Sequence, residues 1–107
     1  MIKRVWHGWT TPENADAYFR ILTNEVIPGI ETKKMEGFRS IEVLRRELKT
    51  GTEFCTVMTF ETLDNIIALH GEDYERSYVP DAAQKVLSRW DQTAQHFEIL
   101  EVRRYDA

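Results

Sequence analysis

The sequence predicts an α+β fold in which two helices cover one face of a four-stranded antiparallel sheet. Three observations predict it: apolar patterns in the order strand, helix, strand, strand, helix, strand; helix start and stop signals around both helical stretches; and a tight turn between the two middle strands.

Ile2 to Trp9 is short, rich in large apolar residues and closed by Thr-Thr-Pro, the pattern of a first strand. Thr11-Pro12-Glu13-Asn14 then starts a helix. Thr11 can cap free N–H groups, Pro12 suits the first helical position, and Glu13 and Asp16 favour the positive end of the dipole. Ala15, Tyr18, Phe19, Leu22 and Val26 repeat at helical spacing, and Pro28-Gly29 is expected to end or kink the helix. Phe38 to Leu48 is extended, Thr50-Gly51 turns the chain, and Phe54 to Phe60 is rich in β-formers, so the two segments pair as a hairpin. Thr62 is placed to cap a short helix that buries Ile66, Ile67 and Leu69 and stops at Gly71. Glu72 to Val79 reads as a loop. Pro80 opens a further helical piece, with Ala83, Val86, Leu87 and Trp90 on one face, and Thr93 to Arg103 returns as the last strand. This β-α-β-β-α-β order is the ferredoxin-like arrangement.

With 107 residues, the chain has the length of a single domain, 1–107, able to bury about two-thirds of its surface without staples. Apolar residues make 42% and charged residues 30% of the chain, which excludes disorder. The longest uncharged run, Val5 to Pro12, is too short to cross a membrane. The N-terminus lacks an apolar signal core, and the lone Cys55 fits a reducing compartment, so a cytoplasmic location is expected. Eighteen acids against fourteen bases, with no basic stripe, argue against nucleic-acid binding.

The topology leaves one sheet face open. Trp6 and Trp9, three apart on one strand, point to opposite faces, and leaving either ring in water wastes roughly 200 Å² of apolar surface. A second copy of the chain is the simplest cover, giving a homodimer with a barrel-like interior between two sheets.

Several segments carry a resemblance: Val5-Trp6-His7-Gly8-Trp9-Thr10-Thr11-Pro12-Glu13-Asn14-Ala15-Asp16-Ala17-Tyr18, Ile27-Pro28-Gly29-Ile30, Phe60-Glu61-Thr62-Leu63-Asp64 and Gln95-His96-Phe97-Glu98. With these, nearly the whole chain resembles the antibiotic biosynthesis monooxygenase-like superfamily of dimeric α+β barrels. The resemblance implies a ferredoxin-like protomer, a homodimer and a ligand pocket between sheet and helices. Some members of that superfamily oxidise aromatic polyketides or quinols with O₂ and no bound cofactor, and others open haem. The haem-opening branch uses an Asn on the first strand with a Trp and a His on the second helical region. This chain has no Asn before Asn14, and His70 and Trp90 do not reproduce the order.

The residues themselves suggest where chemistry would sit. His7 and His96 lie on strands expected to be neighbours, and Glu98 shares a face with His96. One reading makes each imidazole a hydrogen-bonded strand residue. The other makes His7 and His96 general bases that deprotonate a phenol or quinol, leaving an electron-rich species that reacts with O₂. The same three groups form a two-His, one-carboxylate set, but without a spaced motif, so neither a metal nor a cofactor is expected. Trp6, Trp9, Tyr74, Tyr78 and Trp90 supply aromatic walls for a small aromatic ligand, or else core and interface. Arg45 can hold a developing anion or sit solvated, and Glu98 would complete the pocket. Cys55 reads as a buried, unactivated thiol. Cofactor-independent oxidation of an aromatic or quinol-type compound is therefore the expected function. The alternative is a non-catalytic ligand-binding or stress-related dimer of the same fold.

Overall fold

The structure is a computed structural model and describes residues 1–106. Strand β1 (Ile2–Thr10) is followed by a continuous helical stretch: a 3₁₀ turn at Pro12–Asn14, α1 (Ala15–Ile21), a π-helical turn at Leu22–Val26 and α2 (Ile27–Thr32). The hairpin β2 (Phe38–Leu48) and β3 (Gly51–Phe60) comes next, then α3 (Leu63–His70), α4 (Asp81–Gln84), β4 (Arg89–Trp90) and β5 (Gln95–Glu98). The sheet is antiparallel in the order β2-β3-β1-β4, with β5 also pairing β1. This is the expected ferredoxin-like arrangement, with its fourth strand in two pieces. No helix among the described residues is long and apolar enough to cross a membrane.

The core lies between the helices and one sheet face. Tyr18 and Leu22 pack on Phe54, with Ala15, Ala83 and Leu87 around them, and the Tyr18 ring meets Phe54 edge-on at 4.9 Å. The hairpin turns through Lys49-Thr50, and Gly51 (φ +150°) follows. A Cβ on Gly51 would stand 2.2 Å from the Thr10 carbonyl oxygen, so no side chain fits there.

Local signals behave unevenly. Thr62 and Asn65 form the reciprocal capping box that starts α3, and Gly71 (φ +80°) ends it. Thr11 makes no side-chain cap; its carbonyl instead accepts from the Asn14 N–H at 3.2 Å.

Three expectations are corrected. Pro28-Gly29, expected to end or kink the helix, does not end it. Proline conflicts with the carbonyl four residues back, and here the preceding turn widens, so that the Ile27 N–H bonds to the Leu22 carbonyl five residues back and the helix runs on to Thr32.

The Ala83-to-Trp90 helix stops at Gln84. Trp90 lies on β4, because the backbone from Ser88 onward bonds to β1: Ser88 N–H to Trp9 O at 2.7 Å and Asp91 N–H to His7 O at 2.9 Å. The last strand spans Gln95–Glu98 rather than Thr93 to Arg103. Its pairing with β1 covers Gln95–Glu98 against Ile2–Val5, and the Ile99 N–H adds one bond to Met1 O at 2.9 Å.

Between β4 and β5 the pairing with β1 shifts by two residues, so Asp91–Ala94 bulges out of the sheet. Asp91 closes this gap. Its Oδ2 accepts from the His7 N–H at 3.0 Å, lies 2.7 Å from His7 Nδ1 and takes a third bond from Gln95 Nε2 at 3.3 Å. The carboxylate thus stands in for the missing ladder carbonyl. Asp91→Ala should cost about 2 kcal/mol, from stranded donors, and Asp91→Asn, which keeps an acceptor, should cost less. Urea unfolding midpoints check this; identical midpoints for wild type and Asp91→Ala would exclude the carboxylate as the seam.

Candidate active site

Alternation along β1 decides which side chains meet the helices. Arg4, Trp6, Gly8 and Thr10 face them, and Lys3, Val5, His7 and Trp9 face the open side. A cavity of about 330 Å³ lies on the helix side. Trp6, Ile41, Thr56 and Met58 form its sheet wall, and Tyr18, Leu22, Val26 and Ile30 form its helix wall. Tyr78, Val79, Pro80 and Ala83 close one end. The volume and apolar lining are those of a small-molecule site. The π-helical turn supplies part of the wall, as such turns often do at functional sites.

Trp6 is fixed from two sides. Its indole lies over Gly8, where a Cβ would come within 2.9 Å of the ring, and its Nε1–H donates to Asp91 O at 2.9 Å.

The polar part of the lining is Arg4, Ser77, His70, Glu25 and Lys33. Arg4 is only 6% exposed. Its Nη1 donates to Tyr74 O at 2.5 Å and lies 2.8 Å from His96 Nε2, and its Nη2 donates to Arg76 O at 3.3 Å. A guanidinium has only donors, so His96 Nε2 accepts and the proton of this neutral imidazole sits on Nδ1. No carboxylate pairs with Arg4 among the described residues. Burial lowers the guanidinium pKa, but arginine stays charged at neutral pH.

That charge shapes its neighbours. His70, the last residue of α3, has its pKa lowered to about 4, first by burial and then by the charge of Arg4, with Lys33 and His96 adding to it. His96 is lowered by burial and by Arg4, against a smaller opposing pull from Glu75. Both imidazoles are neutral at pH 7.

The expected site residues are distributed as follows. Trp6 and Tyr78 line the cavity, Tyr78 from its exposed rim. His96 and Tyr74 stand behind it: His96 accepts from Arg4, and Tyr74 gives Arg4 its carbonyl while its ring meets His96 edge-on at 5.2 Å. Trp90 packs against the core. Glu98 and Arg45 are exposed outside the cavity, with Arg45 3.8 Å from Glu47. His7 and Trp9 lie on the open face, stacked at 6.0 Å, and the Arg89 guanidinium sits 3.7 Å from the Trp9 ring centre.

The structure therefore does not bring His7 and His96 together. His96 is paired with Arg4, and His7 with Cys55, so their side chains leave opposite faces. Cys55 itself is half-buried, its thiol pKa raised by burial and by Glu53 and Asp91. Sequence reasoning missed Arg4 and His70 as cavity groups. The available signal for Arg4 was its spacing of two from Trp6, which puts a charge on the same face as a large aromatic.

Among solved structures, the chain is similar to a Bacillus cereus protein described as an antibiotic biosynthesis monooxygenase. Identity is 11% and the TM-score 0.66, over 100% of this chain and 98% of that one. The likeness is one of fold: the two chains share a ferredoxin-like α+β architecture over their whole length. No family model matches the chain, and no curated protein does.

The histidine pKa values set a pH dependence. The unfolded chain binds a proton at His70 near pH 6.5, and the folded protein only near 4. Between these values the unfolded state holds more protons, so stability is full above 6.5 and falls as pH drops toward 4. His70→Gln should flatten that part of the stability curve. Urea midpoints from pH 7 to pH 4 check it; curves that fall in parallel would contradict it.

Proposed function

We propose that this protein is a small-molecule monooxygenase-like enzyme that oxidises an aromatic or quinol-type compound with O₂ in the cavity between sheet and helices. The observation that carries this reading is an apolar cavity wide enough for an aromatic ring system, with one buried guanidinium and one neutral imidazole in its lining. The fold shared with a protein described as a monooxygenase supports it.

The chemistry follows from the lining. A phenol bound against Trp6 and Met58 ionises more readily beside the Arg4 charge, and the neutral His70 ring, too weak a base to keep the proton, relays it to water at the open end of the cavity. Apolar walls keep water from the electron-rich anion. O₂ adds to a ring carbon that carries hydrogen, and the hydroperoxide loses water to leave a carbonyl. One phenol and one O₂ thus give one quinone and one water, and the substrate supplies the electrons. No cofactor enters the scheme. His96 acts by holding Arg4 in place, and His7 acts in the sheet through Asp91.

The reading includes a homodimer in the cytoplasm. Leu44 and Phe97 are exposed on the open face, and Leu100, Val102 and Tyr105 are exposed beyond β5, an apolar surface that a second copy would cover. A mass measured under native conditions should equal two chains.

Oxygen uptake with a panel of quinols and hydroxynaphthalenes tests the activity. Saturable uptake is expected, reduced about a hundred-fold in kcat by His70→Ala. Quinols that bind without uptake above the uncatalysed rate would leave a ligand-binding protein instead.

A further inference from the structure

We propose that the cavity selects an aromatic ligand bearing a carboxylate, which Arg4 grips directly. The inference rests on the cavity being the ligand site, as in the reading above, and adds the charge of the ligand.

Of the five N–H donors of Arg4, three are engaged: two on Nη1, with Tyr74 O and His96 Nε2, and one on Nη2, with Arg76 O. The Nε–H and the second Nη2–H meet no acceptor among the described residues. Two N–H groups on adjacent guanidinium nitrogens match the spacing of the two oxygens of a carboxylate.

The three acceptors already in place are two carbonyls and an imidazole, all uncharged. They hold the guanidinium still but leave its charge uncompensated in a mostly apolar surrounding, where an anion gains most from meeting it. The rest of the lining keeps this preference. Lys33 adds a second positive charge and His70 is neutral. Glu25 is the one carboxylate in the lining; it is exposed and forms no ion pair with Arg4. The apolar walls exclude a small, fully hydrated anion as the best ligand, because they reward only a ligand with an apolar body.

Isothermal titration of the full-length protein with 2-naphthoate and 2-naphthamide at pH 7 tests this. The two ligands share a ring system and differ in the charge at one end. The naphthoate should bind at least ten-fold more tightly, and Arg4→Met should erase the difference. Equal affinities in the wild type would overturn the proposal, and so would a preference that survives Arg4→Met. If Arg4→Met does not fold, the wild-type comparison still decides whether charge is selected. Lys33→Met then decides by which group: a retained preference supports Arg4, and a lost one overturns it. Oxygen uptake plays no part in this titration. A missing carboxylate preference leaves the oxygenation reading standing, and missing oxygen uptake leaves this one standing.

Discussion

A guanidinium buried against a sheet without a carboxylate is the constraint on which this structure turns. Removing such a charge from water costs several kcal/mol unless its donors are met. Arg4 meets part of that cost with neutral acceptors drawn from distant parts of the chain: the carbonyls of Tyr74 and Arg76 in the loop after α3, and the ring of His96 on β5. One side chain of β1 therefore fixes the last strand and the loop that borders the cavity. Burial, and after it the same charge, keep His70 and His96 neutral.

The loop and the fourth strand are also joined to each other. Past the Asp91 N–H, which still bonds to β1, the bulge turns its backbone toward the loop, where Ser77 N–H reaches Gln92 O at 3.0 Å and Ala94 N–H reaches Glu75 O at 2.7 Å. The Ser77 hydroxyl adds a bond to Asp91 O at 2.7 Å, the carbonyl that also receives the Trp6 indole. A regular fourth strand would spend these groups on β1 and leave the loop untethered. The irregularity positions Trp6, Ser77 and Arg4 around one space. The Asp91 carboxylate meanwhile restores the ladder on the far side at His7.

Much of the fold was legible because its signals are local. The cap at Thr62, the stop at Gly71 and the hairpin between β2 and β3 are each written within a few residues. The opposite faces of Trp6 and Trp9 follow from strand alternation alone. What was not legible depends on partners far away in sequence. Whether Trp90 ends a helix or sits on a strand is decided by carbonyls of β1, some eighty residues earlier. The passage of the helix through Pro28 depends on a turn that widens by one residue, which no propensity encodes. The site was legible only in outline. His96 was identified, but its partner Arg4 was invisible without the register of β5 on β1, and His7 resembles a site residue until that register places it on the other face.

We place the ligand between the sheet and the helices, with its acidic end at Arg4. A crystal structure of the protein with a bound hydroxynaphthoate tests it most directly. The account predicts rings packed against Trp6 and Met58, with an anionic oxygen within hydrogen-bonding distance of the Arg4 guanidinium. A ligand seated on the open face beside His7 and Trp9, with the cavity and Arg4 untouched, would contradict it.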